Sequence, residues 1–173
     1  MSSAREIEEL AQARIREADP DADLTAMAVV FNLIRACERV VQDLETVHRP
    51  MGWSWAGFRV LFWVWLLGPL EPREIASIAS ASRASVSSVL NTLERDGFVV
   101  RRRQSGDRRL VTVELTDTGN TLIARAFKAH NEREQEWASI LSREERVTLV
   151  ELLRRLVAYA PSGLAQDRQS SRA

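Results

Sequence analysis

The sequence contains one cysteine, one lysine and no apolar run long enough to cross a lipid bilayer. The lone cysteine, Cys37, excludes an internal disulfide framework. The longest apolar stretch, residues 60–70, spans 11 residues and includes Gly68-Pro69, whereas a transmembrane helix needs about 20 residues. The first residues are acidic where a signal peptide would be apolar. These absences predict a cytoplasmic protein with no membrane partner.

Residues suited to catalysis or metal binding are also scarce. His48 and His130 are the only histidines, and with the single cysteine they form no metal-ligand spacing. The sequence has neither a nucleophile elbow nor a phosphate-binding loop. We therefore expect no metal, no cofactor and no enzymatic activity.

The charge of the chain is balanced overall but unevenly distributed. The 24 basic and 24 acidic side chains give a formal net charge of zero. Residues 1–50 hold 6 arginines and 10 acids, whereas residues 83–109 hold 7 arginines and 3 acids. Such a basic segment can bind a polyanion while the rest of the chain is repelled, although a solvated charged surface has the same composition.

Hydrophobic periodicity predicts a mainly α-helical chain with one small β-hairpin. The expected helices cover residues 7–15, 21–47, 55–67, 72–79, 82–97 and 116–141, with a last helix that begins at Ser142. The expected strands are residues 98–103 and 110–115, on either side of a turn. This order is that of a winged helix-turn-helix between flanking helices.

The segment from Pro72 to Gly97 has the pattern of a helix-turn-helix, whose second helix lies in the major groove of DNA. Val86, Leu90 and Leu93 belong to an apolar stripe, and the opposite face carries short polar side chains. Such a face lets a helix approach base edges closely, and asparagine can pair with adenine. The candidate DNA-reading residues on this face are Arg83, Ala84, Ser85, Ser87, Ser88 and Asn91. An ordinary amphipathic helix with few surface charges is the alternative interpretation.

Five arginines surround the predicted turn of the hairpin. They are Arg101, Arg102 and Arg103 before it, and Arg108 and Arg109 after it. These cations repel one another unless a phosphate backbone or a narrow minor groove receives them. Asp107 can orient Arg109 through charge-assisted hydrogen bonds. We therefore interpret the hairpin as a second DNA-binding element.

Residues from about Trp55 to Gly119 resemble the MarR (multiple antibiotic resistance regulator) family. The resemblance is carried, in order, by Val60-Leu61, Glu74-Ile75-Ala76, Arg83, Ser87, Val89-Leu90, Leu93-Glu94, Gly97-Phe98-Val99, Asp107-Arg108-Arg109, Leu115-Thr116 and Gly119. It implies an obligate homodimer that binds duplex DNA at pseudo-palindromic operators. It also implies that Arg109 enters the minor groove, that Asp107 positions it and that Arg108 reaches the backbone.

We therefore predict a winged helix-turn-helix flanked by dimerisation helices. The predicted domains are N-terminal dimerisation helices over 1–50, a DNA-binding domain over 51–118, C-terminal dimerisation helices over 119–160 and a disordered tail over 161–173. The expected function is that of a ligand-responsive transcription regulator, a repressor rather than an activator. A winged helix that binds another protein is an alternative.

Six of the chain's 11 aromatic residues fall within residues 53–65. Clustered aromatics usually form core or interface, but relatives in the family that the chain resembles commonly bind aromatic carboxylates or other phenolic compounds beside this region. The candidate ligand-binding residues are Arg35, His48, Trp53, Trp55, Phe58 and Phe62. We expect a small aromatic carboxylate as effector if this cluster is a pocket.

Cys37 lies on the apolar stripe of the second predicted helix, where a free cysteine behaves as a small hydrophobic residue. One branch of the resembling family senses hydroperoxides through a lone cysteine in this helix. Cys37 lies about one turn before that position, and the only tyrosine, Tyr159, cannot supply that branch's tyrosine partners. We expect a core cysteine, with a thiol-redox sensor as the alternative.

Overall fold

The computed structural model describes residues 4–103 and 111–159. Its elements in chain order are α1 (Ala4–Ala18), α2 (Leu24–His48), a 3-10 turn (Arg49–Met51), α3 (Trp55–Leu67), α4 (Pro72–Ile78), α5 (Arg83–Arg95), β1 (Val99–Arg103), β2 (Val111–Leu115), α6 (Asp117–Ala138) and α7 (Arg143–Ala158). The predicted fold class, mainly α with a β-hairpin wing, is confirmed. The predicted disordered tail lies outside the described residues.

The chain divides into two compact units, Met1–His130 and Asn131–Ala173. The first unit contains α1 to α5, the hairpin and most of α6, and the second contains the end of α6 and α7. The division falls inside α6. Among the described residues, no helix combines the length and the apolar character needed to cross a membrane.

A serine directly before a helical pattern predicts an N-cap at Ser54, Ser82 and Ser142, and the structure confirms all three. Ser54, Ser82 and Ser142 each accept a hydrogen bond from the backbone N–H three residues later. These bonds satisfy backbone donors that have no partner inside the helix. The last turn of α2 runs into the 3-10 turn, which ends at Gly52 with φ of +89°. A glycine adopts this left-handed conformation without the steric cost that a side chain would impose.

The core of the first unit lies where α3, α4, α5 and the hairpin pack together. Its largest fully buried apolar side chains are Phe58, Leu61, Ile75, Leu90, Leu93, Val113 and, from α6, Ile123. Helix α3 is apolar on nearly all sides, a pattern that predicts a deeply buried helix, and this prediction is wrong for its last turn. Trp65, Leu66 and Leu67 are 37–55% exposed in the single chain, because none of the core clusters covers this side of the helix.

The hairpin is attached to the core at its base. β1 and β2 are antiparallel in a register from Val99↔Leu115 to Arg103↔Val111. Leu70, in the turn after α3, exchanges two backbone hydrogen bonds with Val113 of β2. These bonds hold β2, and through it the hairpin, next to the end of α3.

Candidate nucleic-acid interface

Helix α4 is fixed in place as the brace of the helix-turn-helix. Pro72 occupies its first turn, where a missing N–H has no cost, and Glu71 and Glu74 form a capping box. At the other end the Arg59 guanidinium of α3 donates a hydrogen bond to the carbonyl of Ala79. These contacts hold both ends of α4, and the bond to Ala79 does so at the turn that leads into α5.

Helix α5 buries one face and exposes the other. Val86, Leu90 and Leu93 are buried against the core, as the apolar stripe predicts. The predicted DNA-reading residues are all exposed on the single chain: Arg83, Ala84, Ser85, Ser87, Ser88 and Asn91. The exposed surface therefore consists largely of small uncharged side chains, as a close approach to a DNA groove requires.

The three arginines of β1 have different environments. Arg101 donates from its backbone N–H to Oε1 of Glu94 (3.1 Å) and from its guanidinium to Oε2 (3.0 Å). A second guanidinium nitrogen donates to Oδ1 of Asn91 at 2.8 Å. Arg102 pairs with Glu114 of the facing strand at 2.9 Å, and Arg103 is exposed. The three are therefore not equivalent.

Sequence reasoning did not find the role of Glu94. Its position three residues after Asn91 puts both residues on one face of α5. This spacing alone could have indicated that the two side chains share a partner. The arginine that Glu94 and Asn91 bind is decided by the path of the chain through Gly97 into β1. The remaining predicted wing residues, Asp107, Arg108 and Arg109, lie outside the described residues.

Three of the four predicted ligand-binding aromatics, Trp55, Phe58 and Phe62, form a packed stack with His48, and Trp53 instead contacts the Phe98 ring. The His48 ring lies 4.0 Å from the Phe58 ring and 5.7 Å from the Trp55 ring, centroid to centroid. Phe62 continues the stack at 5.9 Å from Phe58. Arg35 instead lies over the Phe31 ring, 5.3 Å from its centroid. The structure thus brings the aromatic rings together as core, and places the arginine against another ring.

His48 is fully buried and neutral. Its Nε2 lies 3.3 Å from Nδ1 of His130, which is also buried. Its own Nδ1 has no hydrogen-bond partner within the described part of the chain, so the tautomer with the proton on Nε2 avoids burying an unpaired donor. Burial, and secondly the charge of His130, lower the pKa of His48 from 6.5 to about 4.

A cavity of about 540 Å³ lies between the end of α2 and helix α5. Its polar lining includes Glu45 and Arg49 from the α2 end and Ser88 from α5. Of the six predicted ligand-binding residues, Trp53 alone lines this cavity. This cavity offers space for a small molecule beside the exposed helix α5, and neither His48 nor Phe58 lines it.

Cys37 is exposed in the single chain. The expectation of a core cysteine is therefore wrong within one chain. The apolar stripe of α2 is only partly covered, since Val30 and Ile34 on the same helix are 55% and 53% exposed.

Among the described residues, no group of three or more metal-ligating side chains could hold a metal ion.

Comparisons with known proteins indicate the same family as the sequence motifs. Residues 53–111 match the MarR family. An uncharacterized HTH-type transcriptional regulator of Bacillus subtilis (strain 168), YwaE, is 33% identical over 135 residues, which cover 78% of this chain and 79% of the relative. Transcriptional regulators are not enzymes, which agrees with the expected absence of catalysis.

Two solved structures share the fold over most of the chain. The transcriptional repressor CouR, solved with a 23-mer DNA duplex, has a TM-score of 0.71 at 29% identity and covers 78% of this chain and 96% of its own. Bordetella bronchiseptica BpsR, whose DNA binding is regulated by 6-hydroxynicotinic acid, has a TM-score of 0.70 at 25% identity, with coverage of 76% and 94%. The chain, with its exposed helix α5 and arginine-bearing hairpin, belongs to the MarR family of transcription regulators.

Proposed function

We propose that this regulator binds a pseudo-palindromic DNA operator as a homodimer and acts as a repressor. The observation that carries the proposal is the exposed, mostly uncharged outer face of α5 beside the arginines of β1. Two such helices related by a two-fold axis would enter successive major grooves. CouR, a transcriptional repressor solved with a 23-mer DNA duplex, supports DNA binding and repression for a chain of the same fold.

The proposal is tested by fluorescence anisotropy with labelled duplex from the region upstream of the regulator's own gene. We expect specific binding, and we expect Arg109→Ala to weaken it by about 1–3 kcal/mol because a minor-groove contact is lost. Arg14→Ala is the matched control, since Arg14 lies on α1 and pairs with Glu17. Operator affinity that is unchanged in a folded Arg109→Ala variant contradicts the wing assignment.

We further propose that a small aromatic carboxylate releases the regulator from DNA. The cavity between α2 and α5 is the candidate site, because Arg49 can pair with a carboxylate and Trp53 supplies an aromatic wall. Its lining includes Ser88, one of the predicted DNA-reading residues, so a ligand there can favour a state unable to bind DNA. BpsR, regulated by 6-hydroxynicotinic acid, supports this ligand class.

Tryptophan fluorescence and operator release test the effector proposal together. Aromatic acids are titrated into the regulator and into its operator complex, with Arg49→Ala as the test variant and Arg39→Ala, on the preceding helix α2, as the control. We expect saturable quenching and release, both weakened only by Arg49→Ala. If no aromatic acid causes either, the effector proposal fails. Release by peroxide that disappears in Cys37→Ser would instead support the thiol-sensor alternative.

A further inference from the structure

Arg101 faces the recognition helix α5 and not the solvent. Each of the two terminal nitrogens of its guanidinium donates a hydrogen bond, one to the Glu94 carboxylate at 3.0 Å and one to the Asn91 amide oxygen at 2.8 Å. The Arg101 side chain is 27% exposed. Its charge is therefore compensated within the protein by the Glu94 carboxylate, and these two bonds use two of the five N–H donors of the guanidinium.

The contact with Arg101 also decides which end of the Asn91 amide faces outward. A guanidinium has donors and no acceptor, so only the amide oxygen of Asn91 can face it. The amide nitrogen, with two donors, is then left on the exposed surface of α5. Simultaneous pairing with adenine N6 and N7 needs both the oxygen and the nitrogen of asparagine.

We propose that Arg101 is a positioning residue, which binds Glu94 and the Asn91 oxygen so that Asn91 presents its amide nitrogen to an acceptor on a base edge. The major-groove acceptors are purine N7, guanine O6 and thymine O4. Guanine offers two of them side by side, so we expect Asn91 to favour guanine. This inference rests on the proposed function, since it concerns how the operator is read.

Two substitutions separate positioning from direct contact with DNA. Arg101→Met keeps the aliphatic part of the side chain but removes every side-chain donor, which frees the Asn91 oxygen and moves the preference from guanine toward adenine. Asn91→Asp keeps the partner of Arg101 but offers acceptors only, which moves the preference toward cytosine, whose N4 is a donor. Arg103→Met is the control, because it removes the same charge from the same strand.

The experiment selects sequences from a randomised duplex library with the full-length wild type and each variant, and then measures affinity against salt concentration. Thermal unfolding confirms that each variant is folded. For Arg101→Met we expect about tenfold weaker binding to the wild-type site, a changed base at one position per half-site and an unchanged salt slope.

Other outcomes overturn the inference. A salt slope reduced by about 1 in Arg101→Met shows that Arg101 contacts phosphate. An unchanged base preference in both Arg101→Met and Asn91→Asp shows that the contact is only structural. A wild type that selects no sequence at all overturns the proposed function, and this inference with it. A wild type that selects one while the variants fail these tests overturns this inference alone.

Discussion

At the scale of single residues, His48 shows how an ionisable side chain can be part of an apolar core. It is buried between Phe58 and His130, and the neutral ring stacks on its aromatic neighbours. A protonated ring would lose its hydration without gaining an acidic partner, which is why the folded state disfavours it. The free energy of unfolding must therefore depend on pH through this residue.

We expect the unfolded chain to bind more protons than the folded chain between pH 6.5 and about 4, because the pKa of His48 is lowered from 6.5 to about 4. The free energy of unfolding then falls as pH falls through this window, by roughly 3 kcal/mol in total. His48→Leu removes this contribution. Urea unfolding of wild type and variant, at equal protein concentration from pH 7.5 to 4, measures it.

The difference between the two proteins isolates His48, since acid also protonates carboxylates in both. Relative to wild type, His48→Leu is expected to gain stability steadily below pH 6.5. If the free energies of unfolding of the two proteins change in parallel over the whole pH range, burial does not lower the pKa of His48.

At the scale of elements, the junction between the recognition helix, the wing and α6 is held by close backbone packing. The Thr116 hydroxyl bonds the carbonyl of Gly97 at 2.7 Å and accepts from the N–H of Gly119 at 3.0 Å. The first turn of α6 therefore lies directly on the chain entering β1. A Cβ atom built on Gly119 would lie 2.0 Å from the carbonyl oxygen of Phe98, so this position has no room for a side chain.

Gly119→Ala is expected to destabilise the protein by about 1–3 kcal/mol, the usual cost of overpacking a tight site. Helix propensity alone predicts the opposite sign, since alanine stabilises a helix interior by about 1 kcal/mol over glycine. Thermal unfolding measures the change, with Asn120→Ala as a control at the exposed neighbouring position. A variant as stable as wild type would show that α6 can shift away from Phe98.

At the scale of the whole molecule, each unit leaves apolar surface uncovered in the single chain. On α2 the exposed side chains include Val29, Val30, Leu33 and Ile34, and on α7 they include Val147, Val150, Leu156 and Val157. Contiguous apolar surface of this kind marks protein interfaces. The proposed homodimer would cover it.

We expect a dimer by light scattering at micromolar concentration. Ile34→Glu puts a charge in the centre of the exposed face of α2 and should shift the mass toward the monomer, because an unpaired charge in an interface is costly. Gln42→Glu adds the same charge at another exposed position of α2 and should leave the dimer intact. A monomeric wild type at this concentration would contradict the proposed assembly.

Local patterns in the sequence determined most of the elements of this protein. Ser54, Ser82 and Ser142 mark helix starts because capping depends only on residues within one turn. The period of α5 likewise separates its buried stripe from its exposed face before any tertiary contact is known. The resemblance to the MarR family, carried by ordered short motifs, was available for the same reason and is confirmed.

Contacts between elements distant in sequence were decided only by the tertiary structure. His48 and His130 are 82 residues apart in the sequence but in contact in the fold, and their two rings pack into the aromatic cluster as part of the core. Arg101 became the partner of Glu94 and Asn91 because the path through Gly97 folds β1 back along α5. Identical arginine side chains in Arg101, Arg102 and Arg103 thus have different surroundings. Periodicity identifies which face of an element is polar, but the partner that a polar group meets depends on how the elements pack.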